Sequence, residues 1–241
     1  MAANEEHEDA EALIKRVKAM YSSCRSYADR GQLTSILPQD EGEPLVSYQT
    51  FSTVFVRPDK FRFEFRDRFP EGQFGRHVVW RESNAVKTWR YQFHPKVKFA
   101  PDLSLALAGA TGLSHGVAVT IPQLLLPQEI NARGLFSEDQ VEWVGNEECQ
   151  DRACAKISSR GAIGYFVWIE IETGLILRVE ERTAISYQTS GWSHSMTVGK
   201  GNLTSRTVIS YRPAINCEIP VSQMEFGEPF SGYGDDVEVI G

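Results

Sequence analysis

The sequence predicts an α+β fold, mostly β: an antiparallel sheet with one leading helix and one apolar helical insertion. Three observations predict it. From Tyr27 onward, short runs of alternating apolar and polar residues recur, each bounded by Pro, Gly, Asp or Asn. These runs follow one another directly, which favours a meander over βαβ units. Two stretches, residues 6–23 and 100–128, depart from the two-residue period.

The first, "EHEDAEALIKRVKAMYSS" (6–23), reads as an amphipathic helix. Ala10, Leu13, Val17 and Met20/Tyr21 share a face, while Lys15, Arg16 and Lys18 lie on others. Acidic residues fill its start and basic ones come later, as the helix dipole favours. Strand-like runs follow as "GQLTSIL", "LVSYQTFSTVFV", "KFRFEFRD", "GRHVVWRES" and "AVKTWRYQ". Residues 100–128 then carry Asp102 as their one ionised group, and Gly109, Gly112, Gly116 and Pro122 divide the segment into helical turns. Asp102 or Ser104 is placed to cap the first of these. With no polar face, this segment must be covered by the sheet or by an apolar ligand. Strands resume as "DQVEWVG", "ACAKISS", "GYFVWIEIE", "GLILRVEERTAISYQ", "SHSMTVG" and "SRTVISYRP", for ten or eleven in all. The polar tail 231–241 is expected to be loosely held, as are residues 1–5, within a single domain spanning 1–241.

Composition narrows the function. The chain has 241 residues, a formal charge of −7 and an isoelectric point near 5.3, so phosphate polyanions repel it as a whole. That weighs against reading "PDKFRFEFRDRF" (58–69), with Phe61, Phe63 and Phe65 between basic residues, as a base-stacking platform. The alternative is one wall of an apolar interior, its Arg side in water. No apolar run is long enough for a membrane-spanning helix. No leader is visible, which fits either a cytosolic protein or a mature chain whose signal peptide has been removed.

Four cysteines are present. In "ECQDRAC" a four-residue loop, Gln150 to Ala153, would set Cys149 opposite Cys154 at disulfide distance. That pairing favours an oxidising compartment, with buried free thiols the alternative. Cys24 and Cys217 would form a second pair. His7, His77, His94, His115 and His194 have no metal-ligand spacing, so no metal or cofactor is expected. His115, inside the apolar insertion, suits a ligand head group or a backbone partner. No nucleophile elbow, P-loop or dinucleotide fingerprint occurs, and "GYGDD" at 232–236 lacks the context of a catalytic acid pair. Enzymatic activity is therefore not expected.

The order of elements resembles the LolA-like family, periplasmic carriers of lipoproteins and their relatives. A leading helix runs into "YSSCRSYADRGQL", and a long strand ends "FVRPDKFRFEF". The hairpin "YFVWIEIETGLILRVE" and the closing "VISYRPAINCEIPVSQMEF" are also similar to the family's, and together these span most of residues 8–226. The resemblance implies a strongly curved, unclosed half-barrel with helices across its mouth and an apolar cavity between. Its wall is then expected to include Phe61, Phe63, Phe65, Trp80, Leu105, Leu113, Leu124, Leu125 and Leu177, with 103–126 as a movable lid. The expected function is a non-enzymatic periplasmic carrier for a lipid, a lipoprotein acyl chain or another hydrophobic small molecule, with an envelope protein as a candidate partner. The alternative is a regulatory or sensory module of the same fold. Neither nucleic acid nor a transmembrane segment is expected.

Overall fold

The computed structural model describes residues 9–39, 41–68, 74–91, 94–132, 135–136, 141–159, 164–190, 193–198 and 203–226. In chain order the elements are α1 (Ala10–Ser23), β1 (Ser26–Leu37), β2 (Leu45–Val56), β3 (Lys60–Arg68), β4 (Phe74–Glu82), β5 (Ala85–Arg90) and β6 (His94–Ala100). Two helices follow, α2 (Leu103–Thr111) and α3 (Val117–Leu125). The second half holds β7 (Val141–Cys149), β8 (Arg152–Ser159), β9 (Gly164–Glu170), β10 (Ile176–Ser190), β11 (Ser193–Val198), β12 (Leu203–Tyr211), β13 (Ala214–Ile215) and α4 (Val221–Met224).

The fold is mostly β. Strands pair in the order β6-β5-β4-β3-β2-β1-β12-β10-β9-β8-β7, with β11 added to β10 and β13 to β1. Sequence neighbours are mostly spatial neighbours, the meander expected, and the end strands β6 and β7 do not pair with each other among the described residues. That is the connectivity of an unclosed antiparallel sheet. Strands β6 and β13 and helix α4 were not foreseen, and the apolar insertion, read as helical turns, holds two helices.

The chain divides into two compact units. The first holds α1, β7–β11 and most of β12. Asp9 accepts the Ala12 N–H at 2.6 Å, which caps α1. Leu13, Ile14, Val17 and Tyr21 form its buried stripe, and the Tyr21 hydroxyl accepts the Ile176 N–H at 3.1 Å. The helix begins at Ala10, and the expected extension over 6–8 lies outside the described residues. Gly174, at φ +75°, lets the β9–β10 turn lie close beneath α1: a Cβ there would sit 3.3 Å from Arg16 Nη1. Across the sheet, Ile157, Val167 and Val179 stand opposite one another on the apolar side.

The second unit holds most of β1 and β2, then β3–β6, α2, α3, β13 and α4. Phe51 faces Phe65, Thr53 faces Phe63 and Phe55 faces Phe61, so one side of β2–β3 is nearly all aromatic and fully buried. Gly31 is the close-approach position here. A Cβ on it would lie 2.1 Å from Phe51 Cζ, whose ring meets Tyr211 edge-on at 5.3 Å. Gly31→Ala is therefore expected to destabilise the protein by about 1–3 kcal/mol through overpacking. Urea denaturation checks this, and an unchanged midpoint would refute it.

Candidate functional site

The candidate site is the aromatic side of the second unit and the helices laid on it. Register continues the Phe face across β4 and β5. Phe61 stands opposite Arg81, Phe63 opposite Val79 and Phe65 opposite His77, while His77 faces Arg90 on β5. The side chains at 61, 63 and 65 are at most 3% exposed.

Helix α2 lies against β4, β5 and β6, its N-terminus capped by Asp102, which accepts the Leu105 N–H at 2.7 Å. Gly112 ends α2 and Gly116, at φ +85°, begins α3, whereas Gly109 and Pro122 sit inside the helices rather than breaking them. Leu113, in the link, shares a hollow with Phe65, His77 and Arg90, which places the helical pair on the Phe face. That hollow is about 20 Å³, room for about one water molecule and not for an acyl chain. From residue 103 to 126 no Asp, Glu, Lys or Arg occurs. The strong polar ties gather at the C-terminal end of the pair: Arg57 Nη2 donates to the Leu125 carbonyl at 2.9 Å, and Arg81 pairs with Glu129 just beyond.

Three of the titratable groups around this sheet are strongly perturbed. His77 is pushed down to about 4, by burial first and by the Arg90 charge second, so it is neutral at pH 7, and its Nδ1 has no partner among the described residues. Asp29 on β1 accepts the Thr53 N–H at 2.6 Å and the Tyr27 hydroxyl at 2.8 Å. Burial nevertheless raises its carboxyl to about 7. Glu64 behaves oppositely: burial would raise it, but hydrogen bonds and charge from Arg76 and Arg66 hold it at about 2.

The structure distributes the expected wall residues unevenly. Phe61, Phe63 and Phe65 share a face, Leu113 reaches it, and Leu124 and Leu125 are buried on α3. Leu177 is buried within the first unit. Two placements correct the sequence reading. Trp80 stands opposite Arg62, on the other side of the sheet, because it is one position from Val79, which faces Phe63. Leu105 points out of α2 and is 58% exposed. His115 is also exposed.

The Arg side of β3 is a further correction, since it is covered rather than wet. Arg62, Arg66 and Arg76 surround Glu64, whose side chain is 5% exposed. Arg62 Nη1 donates to the Gln223 carbonyl at 2.9 Å, and Phe226 stacks on Trp80 at 4.3 Å. With Val78 and Trp89 these make a second apolar cluster, which the sequence reading missed. The signal available was Trp80 and Trp89 on the polar side of their strands.

All four cysteines are free thiols, which corrects both expected disulfides. The β7–β8 turn has two residues, Gln150 and Asp151, at φ +54° and +58°, the left-handed pair of a type I′ hairpin. Cys149 therefore faces Arg152, and Cys154 faces Glu147. The two cysteines are diagonal neighbours, a relation that sets Cα atoms about 7–8 Å apart, beyond ordinary disulfide reach. Their sulfurs still interact: the Cys154 thiol lowers Cys149 to about 7, and Cys154 itself is raised. Cys24 and Cys217 fail for a related reason. The β1–β13 register, with Tyr27 opposite Ile215, carries Cys217 past Arg25 rather than Cys24.

Among the described residues, no three His, Cys, Asp or Glu side chains gather as a metal site, and no helix is long and apolar enough to cross a membrane. The tail with "GYGDD" lies outside the described residues. No family model and no curated protein matches the chain by sequence. Solved structures are similar to it at low identity, and three of them are as follows. LprF from Mycobacterium bovis is 8% identical over 87% of this chain and 93% of its own, with a TM-score of 0.42. An outer membrane lipoprotein-sorting protein domain from Vibrio parahaemolyticus is 10% identical over 88% and 94%, at 0.38. A LolA superfamily protein from Nitrosomonas europaea is 7% identical over 91% and 98%, at 0.34.

Proposed function

We propose that the chain is a non-enzymatic carrier or binding protein for a hydrophobic ligand, a lipid or the acyl part of a lipoprotein. The ligand would be held between the Phe face of the second unit and the α2–α3 pair. The observation that carries this reading is the uncharged helical pair itself, laid on an aromatic sheet face and tied by polar contacts at its C-terminal end. Such a contact opens without breaking buried ion pairs. An acyl chain entering there replaces helix side chains against the same rings and gains about 0.8 kcal/mol per CH₂ removed from water. The 20 Å³ hollow at Leu113 is then the closed state of a larger space, and α2–α3 is the lid that uncovers it. A periplasmic site of action rests on the order of sequence elements, since the free thiols give it no support.

Mass spectrometry of lipid extracted from the purified protein tests the reading, together with uptake of a fluorescent fatty acid. Bound lipid or saturable uptake is expected. Hydrogen exchange adds the mechanism: amides of 103–126 should exchange faster than those of β3 and β4, and slow when lipid is added. No lipid and no uptake would overturn the carrier reading. Protection of 103–126 equal to the strands and indifferent to lipid would overturn the lid.

A further inference from the structure

In the first unit, the side of β8–β12 away from the apolar core is a layer of cations on aromatic rings. Register sets Lys156, Trp168 and Arg178 in one row and Ser158, Phe166 and Glu180 in the next. Lys156 Nζ lies 4.8 Å from the Trp168 ring centre and 5.1 Å from that of Phe166. The guanidiniums of Arg178 and Arg182 lie 4.5 and 5.2 Å from the same two rings. Arg178, Arg182 and Arg206 all bond Glu180, at 2.5, 2.7 and 2.8 Å. Glu147 accepts from Lys156 Nζ and Trp168 Nε1. Four cations thus meet Glu180 and Glu147, with Glu142 opposite Ser158 as a third carboxylate on the same side, which leaves a small local positive surplus on a chain whose formal charge is −7.

The second unit contains the same construction with one part added. Arg62, Glu64 and Arg66 on β3 repeat the spacing of Arg178, Glu180 and Arg182 on β10, and Trp80 faces Arg62 as Trp168 faces Arg178. There a further acceptor is in place, the Gln223 carbonyl on Arg62. In the first unit, among the described residues, the three guanidiniums have Glu180 alone as acceptor; the Nε atoms of Arg178 and Arg206 are buried without a partner, as is that of Arg62 in the second unit. Arg182 and Arg206 are 52% and 41% exposed, so their outer N–H groups reach solvent.

We infer that this face is an oxyanion site, where Arg182 and Arg206 take a phosphate group whose source is a lipid head group or free phosphate. Planar guanidinium forks match phosphate oxygens in pairs, and the rings beneath hold Arg178 and Arg182 in place. This inference is independent of the carrier reading.

The test uses the full chain, phosphatidylglycerol vesicles with phosphatidylcholine vesicles as control, and inorganic phosphate followed by calorimetry. Binding to the anionic vesicles, weakened by salt, is expected. Arg182→Gln/Arg206→Gln should weaken binding about tenfold or more, whereas Arg182→Lys/Arg206→Lys, which keeps the charge, should restore part of it. Melting curves confirm that each variant is folded, and the single Arg182→Gln substitutes if the double does not fold. Phosphate that binds alone and competes with vesicles identifies a free-oxyanion site. Vesicle binding that phosphate does not displace identifies the head group. The inference is overturned if neither probe binds, or if the Gln variant binds like the wild type.

Discussion

Glu64→Ala is expected to lower the unfolding free energy by about 3–5 kcal/mol, the cost of stripping a buried charge cluster of the one counter-ion it has among the described residues. Glu64 receives Arg62 at 2.5 Å and both Arg66 and Arg76 at 2.7 Å. Arg62 and Arg76 are themselves largely buried, so without the carboxylate two guanidiniums face each other in a weakly solvated space. Glu64→Gln keeps the volume but loses the charge, and it should recover only part of the loss. The pH dependence has a definite sign. Glu64 and its counterpart Glu180 are both held at about 2 in the folded state, below the ordinary 4.5. Their stabilisation is therefore present above pH 4.5 and is lost as pH falls from there toward 2. Each contributes roughly 3 kcal/mol across that window on the linkage relation. Guanidinium chloride denaturation of wild type and variant at pH 7 and pH 3 checks both statements. A loss under 1 kcal/mol at pH 7 would mean that the cluster is worth no more than a surface ion pair.

The cluster also marks how far the sequence could be read. Alternation in "KFRFEFRD" correctly assigned the Phe residues to a buried side, because burial on one face leaves a period of two. Alternation says nothing about whether the other face is covered. That depended on residues 217–226 returning to β3, a contact between segments more than 150 positions apart that no local pattern encodes. Trp80 was misplaced within a strand that was recognised: it is one position from Val79, so alternation along β4 puts it on the side away from the Phe residues.

Turn chemistry decided the cysteines. Gln150-Asp151 is a two-residue left-handed turn without glycine, so the usual sequence signal for a tight hairpin was missing. A four-residue loop was the natural reading, and it carried the wrong pairing with it. In contrast, the 103–126 segment announced itself through composition. An absence of charge over that length has few explanations in a chain where 24% of residues are charged. Leu105 shows the residual ambiguity: when every position of a helix is apolar, periodicity cannot tell its inner side from its outer.

Asp29→Asn is expected to stabilise the protein at neutral and alkaline pH, the reverse of the usual effect of removing a hydrogen-bonded carboxylate. Asp29 accepts hydrogen bonds from the Thr53 N–H, the Tyr27 hydroxyl and the Thr53 side chain, and no cation is among the causes of its shift. Burial outweighs these bonds and raises its carboxyl from 3.8 to about 7. A raised carboxyl contributes its stability below pH 3.8 and loses it as pH climbs through 7. By pH 8 the folded state then bears up to about 4 kcal/mol for holding the ionised form. Asparagine keeps the amide oxygen for Thr53 and turns an N–H₂ toward the Tyr27 oxygen, and it does not titrate. The difference between variant and wild type should therefore grow in the variant's favour from pH 4 to pH 8. Parallel stability curves would refute the assignment. Asp29 loses stability with rising pH while Glu64 and Glu180 lose it with falling pH. His77, held at about 4 against an ordinary 6.5, adds a further loss on the acid side. Together these opposed slopes put the wild-type optimum at about pH 6, where the glutamates are ionised, His77 is neutral and Asp29 still largely holds its proton.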